Sequence, residues 1–181
     1  MSIPQNREGL LIVYTGQGKG KTTAALGTAL RALGYDWRVC LVQFIKGTWK
    51  YGETNSIARF GDQFELHRMG AGFYKIEDDD QPEEVHRAAA KEALDLLTEK
   101  LQSGSYDLVI ADELNVACDT ELIAEKDLRR ILAARPANVH LVVTGRRAPD
   151  FLVEQADLVT EMREIKHPFQ RGIKAKPGID Y

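Results

Sequence analysis

At 181 residues, 44% of them hydrophobic, the chain can bury a sizeable core and is short enough for one domain, with or without an appendage. Its 24 basic and 27 acidic side chains leave a formal net charge of −3, without the basic excess expected of a general nucleic-acid binder. Its two cysteines make no disulfide framework, no run reaches the ~18 apolar residues of a membrane span, and residues 1–9 lack the features of a secretory leader, so a cytoplasmic protein is expected.

Residues 10–14, LLIVY, form a continuous apolar run of the kind found in strands buried on both faces. A glycine-rich stretch follows, after which Leu26, Ala29, Leu30 and Leu33 recur at helical spacing, with Gly34 placed to end the helix. Residues 38–44, RVCLVQF, read as a second strand, 55–61 as a short helix and 64–69 as a third strand. Asp80, Pro82 and Glu83 carry the signals of a helix start. Val85, Ala89, Ala93 and Leu96 then line one face of a helix that ends near Gly104.

Residues 106–113, YDLVIADE, predict a strand with two carboxylates at its end, 122–134 a helix, 138–145 a strand, 148–156 a helix and 157–163 a last strand. An acidic block, 76–84, and a basic segment with Arg163, Lys166, Arg171, Lys174 and Lys176 mark the surface. Strands alternating with crossover-length helices predict an α/β fold: a parallel sheet with helices on both faces. The ligand should then lie beyond the carboxyl ends of the strands. No linker or repeat divides the chain, so residues 10–181 read as a single domain behind a short N-terminal extension, 1–9.

Residues 15–22, TGQGKGKT, resemble a P-loop in which Thr15 takes the place of the first glycine. A strand precedes the motif and a helix begins within it, as such a loop requires. Successive backbone N–H groups make an anion-binding nest, and the free N–H groups of the first helical turn add to it. Thr15, Gly16, Gln17, Gly18, Lys19, Gly20, Lys21, Thr22 and Thr23 are therefore the expected nucleotide contacts. Lys21 would neutralise the phosphates, Thr22 would bind Mg²⁺ (with Mn²⁺ as an alternative ion), and Lys19 adds a second positive charge.

Asp112 and Glu113 end a strand at the same sheet edge, where they would serve the metal. Neighbouring strand residues point to opposite faces, so their roles should differ; Glu113 is expected on the metal side with Asp112 as its support. Arg146, at another strand end, is expected to contact phosphate. His67, His86, His140 and His167 show no metal-ligand spacing. These residues predict a Mg-nucleotide protein without specifying the reaction, since ATPases, small-molecule kinases and nucleotide switches share the apparatus.

Several stretches together resemble the P-loop family of ATP:corrinoid adenosyltransferases. They are residues 15–34, 42–53 with VQFIKG, 70–73, 111–115, 134–169 and 172–181, which ends in GIDY. The resemblance implies a RecA-like P-loop NTPase fold, a homodimer, and ATP, Mg²⁺ and a corrinoid as ligands. It also implies an electron donor that brings cobalt to Co(I), and it involves neither nucleic acid nor a membrane. In such enzymes Co(I) attacks the ribose C5′ of ATP and triphosphate leaves.

By the same resemblance Lys21, Phe73 and Glu113 are the catalytic candidates, and Gln43, Lys46 and Tyr74 join the substrate-binding set. Phe73 would exclude an axial ligand from cobalt and so ease its reduction. The family's GFTW is GFYK here, so either Tyr74 takes the place of the missing tryptophan or the corrinoid is gripped differently. Only nine residues precede Leu10, where some members carry a long helix, so a more open site, or one shielded by residues 70–84, is expected. A general ATPase or kinase, and a nucleotide- or corrinoid-binding regulator without turnover, remain the rival readings.

Overall fold

The computed structural model describes residues 8–45, 51–72, 74 and 81–181. Six strands build one sheet: β1 (Leu11–Thr15), β2 (Val39–Gln43), β3 (Phe64–Arg68), β4 (Leu108–Asp112), β5 (His140–Thr144) and β6 (Leu158–Glu161). They lie in the order β3-β2-β4-β5-β1-β6, and every pair is parallel. The α/β expectation holds.

Side-chain alternation along each strand sorts the core into two layers. Leu11, Val13, Cys40, Val42, Val109, Ala111, Leu141 and Val143 point to one face. There they pack under α3 (Glu83–Gln102), α4 (Leu114–Asp119), α5 (Glu125–Ala134) and α6 (Asp150–Gln155). Ile12, Val39, Leu41, Leu108, Ile110 and Val142 point to the other face, against α1 (Lys21–Leu33) and Ile57 of α2 (Gly52–Ile57). The buried stripe of α1 is Ala25, Ala29, Ala32 and Leu33, so small residues let this helix lie close on the sheet. Among the described residues no helix is long and apolar enough to cross a membrane.

The departures from expectation are local and have physical causes. Gly34 caps α1 with φ −64, an ordinary right-handed value, and the positive φ that turns the chain falls two residues later, at Asp36. The helix expected at 55–61 starts earlier, as α2, and tightens into a 3-10 turn, Ala58–Gln63, which delivers the chain to β3. Pro82 caps α3 without a side-chain bond, and Asp80 lies outside the described residues. Among the described residues strand β6 pairs with β1 alone and its four residues are exposed, and it is shorter than the expected 157–163.

Candidate active site

The carboxyl ends of the strands carry a row of polar residues on the α1 face. Gln43 stands in register with Asp112, and Tyr14 with Thr144. Counting by twos from Leu41, Ile110 and Val142 places Gln43, Asp112 and Thr144 on the face that carries α1. All three are buried, Asp112 completely. A buried carboxylate is costly unless its oxygens are satisfied. Here Thr22 Oγ1 donates to Asp112 Oδ1 at 2.8 Å, Thr144 Oγ1 donates to the same oxygen at 2.7 Å, and Gln43 Nε2 donates to Oδ2 at 3.2 Å. Asp112, expected as the support, is thus the carboxylate that touches Thr22.

The glycine loop lies over the end of β1. Gly16 has φ 97, and a Cβ there would collide with the Met162 carbonyl, so the strand-to-loop turn needs glycine. The Gly18 N–H donates to the Met162 carbonyl at 2.6 Å, tying the loop to the chain just after β6. Lys21 is buried, and its Nζ donates to the carbonyls of Gly16 at 2.9 Å and Gly18 at 2.7 Å. Burial lowers its pKa below the ordinary lysine range; Glu113 raises it, Arg146 lowers it and Asp112 raises it. Glu113, Arg146 and Asp112 are therefore all within electrostatic reach of the loop lysine. The first turn of α1 carries no acidic residue, so its N–H groups face an anion without a competing carboxylate from the helix itself.

Glu113 adopts a left-handed φ of 63 as it turns the chain from β4 into α4. Its N–H donates to Thr144 Oγ1 at 3.0 Å, so one hydroxyl orders both halves of the acidic pair. Thr15 accepts the Ala148 N–H at 3.1 Å, which joins the loop to the segment after β5. Gln17, Lys19 and Thr23 are exposed. Arg146 is exposed beside the loop, whereas Arg147 is held by Asp119 at 2.8 Å. Tyr74 donates its hydroxyl to Glu83 at 2.8 Å and sets its ring 4.9 Å from His86, pinning it to the start of α3. Lys46 and Phe73 lie outside the described residues.

Two groups were not anticipated. Thr144 bridges Asp112 and Glu113, and the signal available was its place at a strand end before a glycine. Asn115 is buried, with Nδ2 donating to the Gly145 carbonyl at 3.1 Å. Away from the loop, the cross-strand register brings Cys40, Glu65 and His67 together, their ligating atoms within 4.8 Å of one another. Sequence spacing hides such a cluster. Lys100 Nζ already stands 3.1 Å from the Glu65 carboxylate, and burial pushes the Cys40 thiol up to about 12, so the group behaves as a paired network.

Residues 7–181 match the family profile described as ATP:corrinoid adenosyltransferase BtuR/CobO/CobP. The corrinoid adenosyltransferase of Escherichia coli is 41% identical over 177 residues, covering 98% of this chain and 88% of that one. That of Pseudomonas aeruginosa is 41% identical over 180 residues, covering 98% and 86%. The corrinoid adenosyltransferase CobA of Salmonella typhimurium is 39% identical over 177 residues, covering 98% and 88%. The crystal structure of the flagellar accessory protein FlaH from Methanocaldococcus jannaschii shares the fold, with a TM-score of 0.54 and 14% identity over 86% of this chain and 71% of that one. The parallel sheet, the phosphate loop at its carboxyl edge and a match along nearly the whole chain agree: this chain belongs to the ATP:corrinoid adenosyltransferases, which transfer the adenosyl group of ATP to a corrinoid in cobalamin synthesis.

Proposed function

We propose that the glycine loop and the polar row beneath it hold the triphosphate of ATP as a leaving group, while a corrinoid Co(I) centre attacks C5′ of the ribose. A Co–C bond forms and the C5′–O bond breaks. The electron pair of that bond departs on the triphosphate, and cobalt rises formally from Co(I) to Co(III). The observation that carries this reading is Lys21, buried among the loop carbonyls beside the Thr22–Asp112–Thr144 row. The protein's task is then to stabilise charge that accumulates on departing phosphate oxygens.

A hydroxyl and a carboxylate 2.8 Å apart, both hard oxygen donors, suit Mg²⁺. Thr22 and Asp112 would hold the ion and Glu113 would order its water; bound there, it would neutralise phosphate charge. Gln43, turned onto Asp112, supports the row from the β2 side. Lys21, Lys19 and the N–H groups of residues 16–23, apart from that of Gly18, which Met162 holds, neutralise and orient the phosphates, with Arg146 closing from the β5 end. Tyr74 spends its hydroxyl on Glu83, so its contribution to the corrinoid side is its ring. By family resemblance we assign Phe73 and Lys46 to the corrinoid and triphosphate.

We also read the protein as a cytoplasmic homodimer supplied with electrons by a separate donor, and residues 10–181 as one catalytic domain. A single sheet running from Leu11 to Glu161 supports that last reading. The test is to incubate the protein with ATP, Mg²⁺ and chemically reduced corrinoid, then assay both the Co–C bond and inorganic triphosphate. Equal yields of the two are expected. ADP or orthophosphate as the stoichiometric product would refute the reading and favour an ATPase or kinase.

A further inference from the structure

The end of the chain returns to the phosphate loop. Lys19, the loop's exposed cation, pairs with Asp180 Oδ1 at 2.5 Å. The carboxylate is built into a closed turn: its Oδ2 accepts the Lys176 N–H at 2.7 Å, the Asp180 N–H donates to the Lys176 carbonyl at 2.8 Å, and the Gly178 N–H donates to the Tyr181 carbonyl at 2.8 Å. That turn is seated against the start of α2, where a Cβ on Gly52 would stand 3.7 Å from the Tyr181 carbonyl oxygen. The pairing with Lys19, then the bond from Lys176, hold the Asp180 carboxyl below the usual carboxylate range, with His167 as a further favourable charge. The first turn of α1 bears no acid of its own. Among the described residues, Asp180 is the carboxylate paired with a cation of the loop.

We propose that Asp180 is an intramolecular competitor for Lys19, a positioning residue that the polyphosphate displaces on binding and that helps expel triphosphate after transfer. The proposal rests on the polyphosphate reading of the glycine loop. A leaving group carrying several charges binds a full nest of N–H groups, two lysines and an arginine tightly, and tight product binding slows turnover. A carboxylate at the loop's outer cation weakens that grip in the ground state and recaptures Lys19 as the product leaves. The pair is partly exposed, and such pairs are worth at most about fivefold in an equilibrium, so a polyanion can open it.

The test measures binding of inorganic triphosphate with Mg²⁺, and separately of adenosine, by calorimetry on the full chain. Asp180→Asn keeps an acceptor for the Lys176 N–H and removes the charge. Triphosphate should bind about two- to fivefold more tightly at low ionic strength, the gain shrinking toward 1 M salt, with adenosine affinity unchanged. Asp180→Ser, which also lacks the charge, should show the same gain with an unchanged circular dichroism spectrum. In a Lys19→Ala background the gain should vanish.

Equal or weaker triphosphate binding in Asp180→Asn would overturn the proposal, because it would make the carboxylate a neutral or supporting contact. So would a gain that persists without Lys19. A parent protein that binds no triphosphate would overturn the polyphosphate reading itself and this inference with it.

Discussion

Replacing Asp112 by Asn tests the polar floor of the site most directly. The carboxylate accepts from Thr22, Thr144 and Gln43 while fully buried. Hydrogen bonds to a charged acceptor contribute about 1.5–3 kcal/mol each and those to a neutral one about 0.5–1.5. The Asn oxygen keeps the two hydroxyl bonds in weakened form. Its NH₂ meets the Gln43 amide, which must turn its oxygen inward to accept, so the change costs roughly 3 kcal/mol. Removing a buried charge returns part of that cost as relieved desolvation, leaving a net loss of about 1–2 kcal/mol. For a chain of this size the melting temperature should fall by about 2–8 °C. Losing a charged metal ligand should also raise the Mg²⁺ requirement for turnover about 10- to 100-fold. Thermal melts by circular dichroism and Mg²⁺ titrations of Co–C bond formation measure the two effects separately. An unchanged half-saturating Mg²⁺ concentration in Asp112→Asn, together with a raised one in Glu113→Gln, would refute the reasoning and return the direct metal role to Glu113.

Glu113→Gln itself should raise the Mg²⁺ requirement by less than Asp112→Asn does, which parallel titrations check. Lys21→Ala should leave a folded protein whose rate at saturating ATP falls about 10³-fold, since the charge acts in a partly desolvated site; a rate within twofold of the parent would exclude that role. Burial lowers the Lys21 pKa below its ordinary 10.5, so between the two values the folded chain holds fewer protons than the unfolded one. Stability of the nucleotide-free protein should therefore gain a contribution from Lys21 as pH rises through that window, while triphosphate affinity, which needs the charged form, falls; melts and calorimetry across the alkaline range should run in opposite directions. Phe73→Ala should impair the reaction from cob(II)alamin far more than from prepared cob(I)alamin, because a phenyl ring can only exclude ligands; paired rates from the two starting states decide it.

The strands were legible because each is a short apolar run, and the glycine loop because its spacing has few other uses. Which of the two carboxylates stands beside Thr22 was not. Alternation shows that Asp112 and Glu113 differ, but choosing between them needs the face on which α1 lies. That face becomes visible only when Leu108 and Ile110 are seen packed with Ala25 and Ala29. Thr144 was missed for a related reason: its worth comes from standing beside Asp112 across β4 and β5, a relation that no local window contains. The Lys19–Asp180 pair spans almost the entire chain, and neither residue carries a signal for the other. The end of α1 shows the opposite error, for Gly34 had the right composition while Asp36 took the positive φ.

Strand β1 lies between β5 and β6, and its loop leans on residues 162 and 163 and on Asp180. The phosphate loop is made well before the neighbours it leans on, which lie far later in the sequence. Contacts of such long sequence separation form slowly, and domains made during synthesis fold as their parts become available. A nascent chain of this protein should thus present an unstructured glycine loop until β6 and the turn at Asp180 have been made. Nucleotide would reward completion of the sheet rather than nucleate it, and ATP should protect the finished protein from proteolysis while doing little for chains stopped before β6.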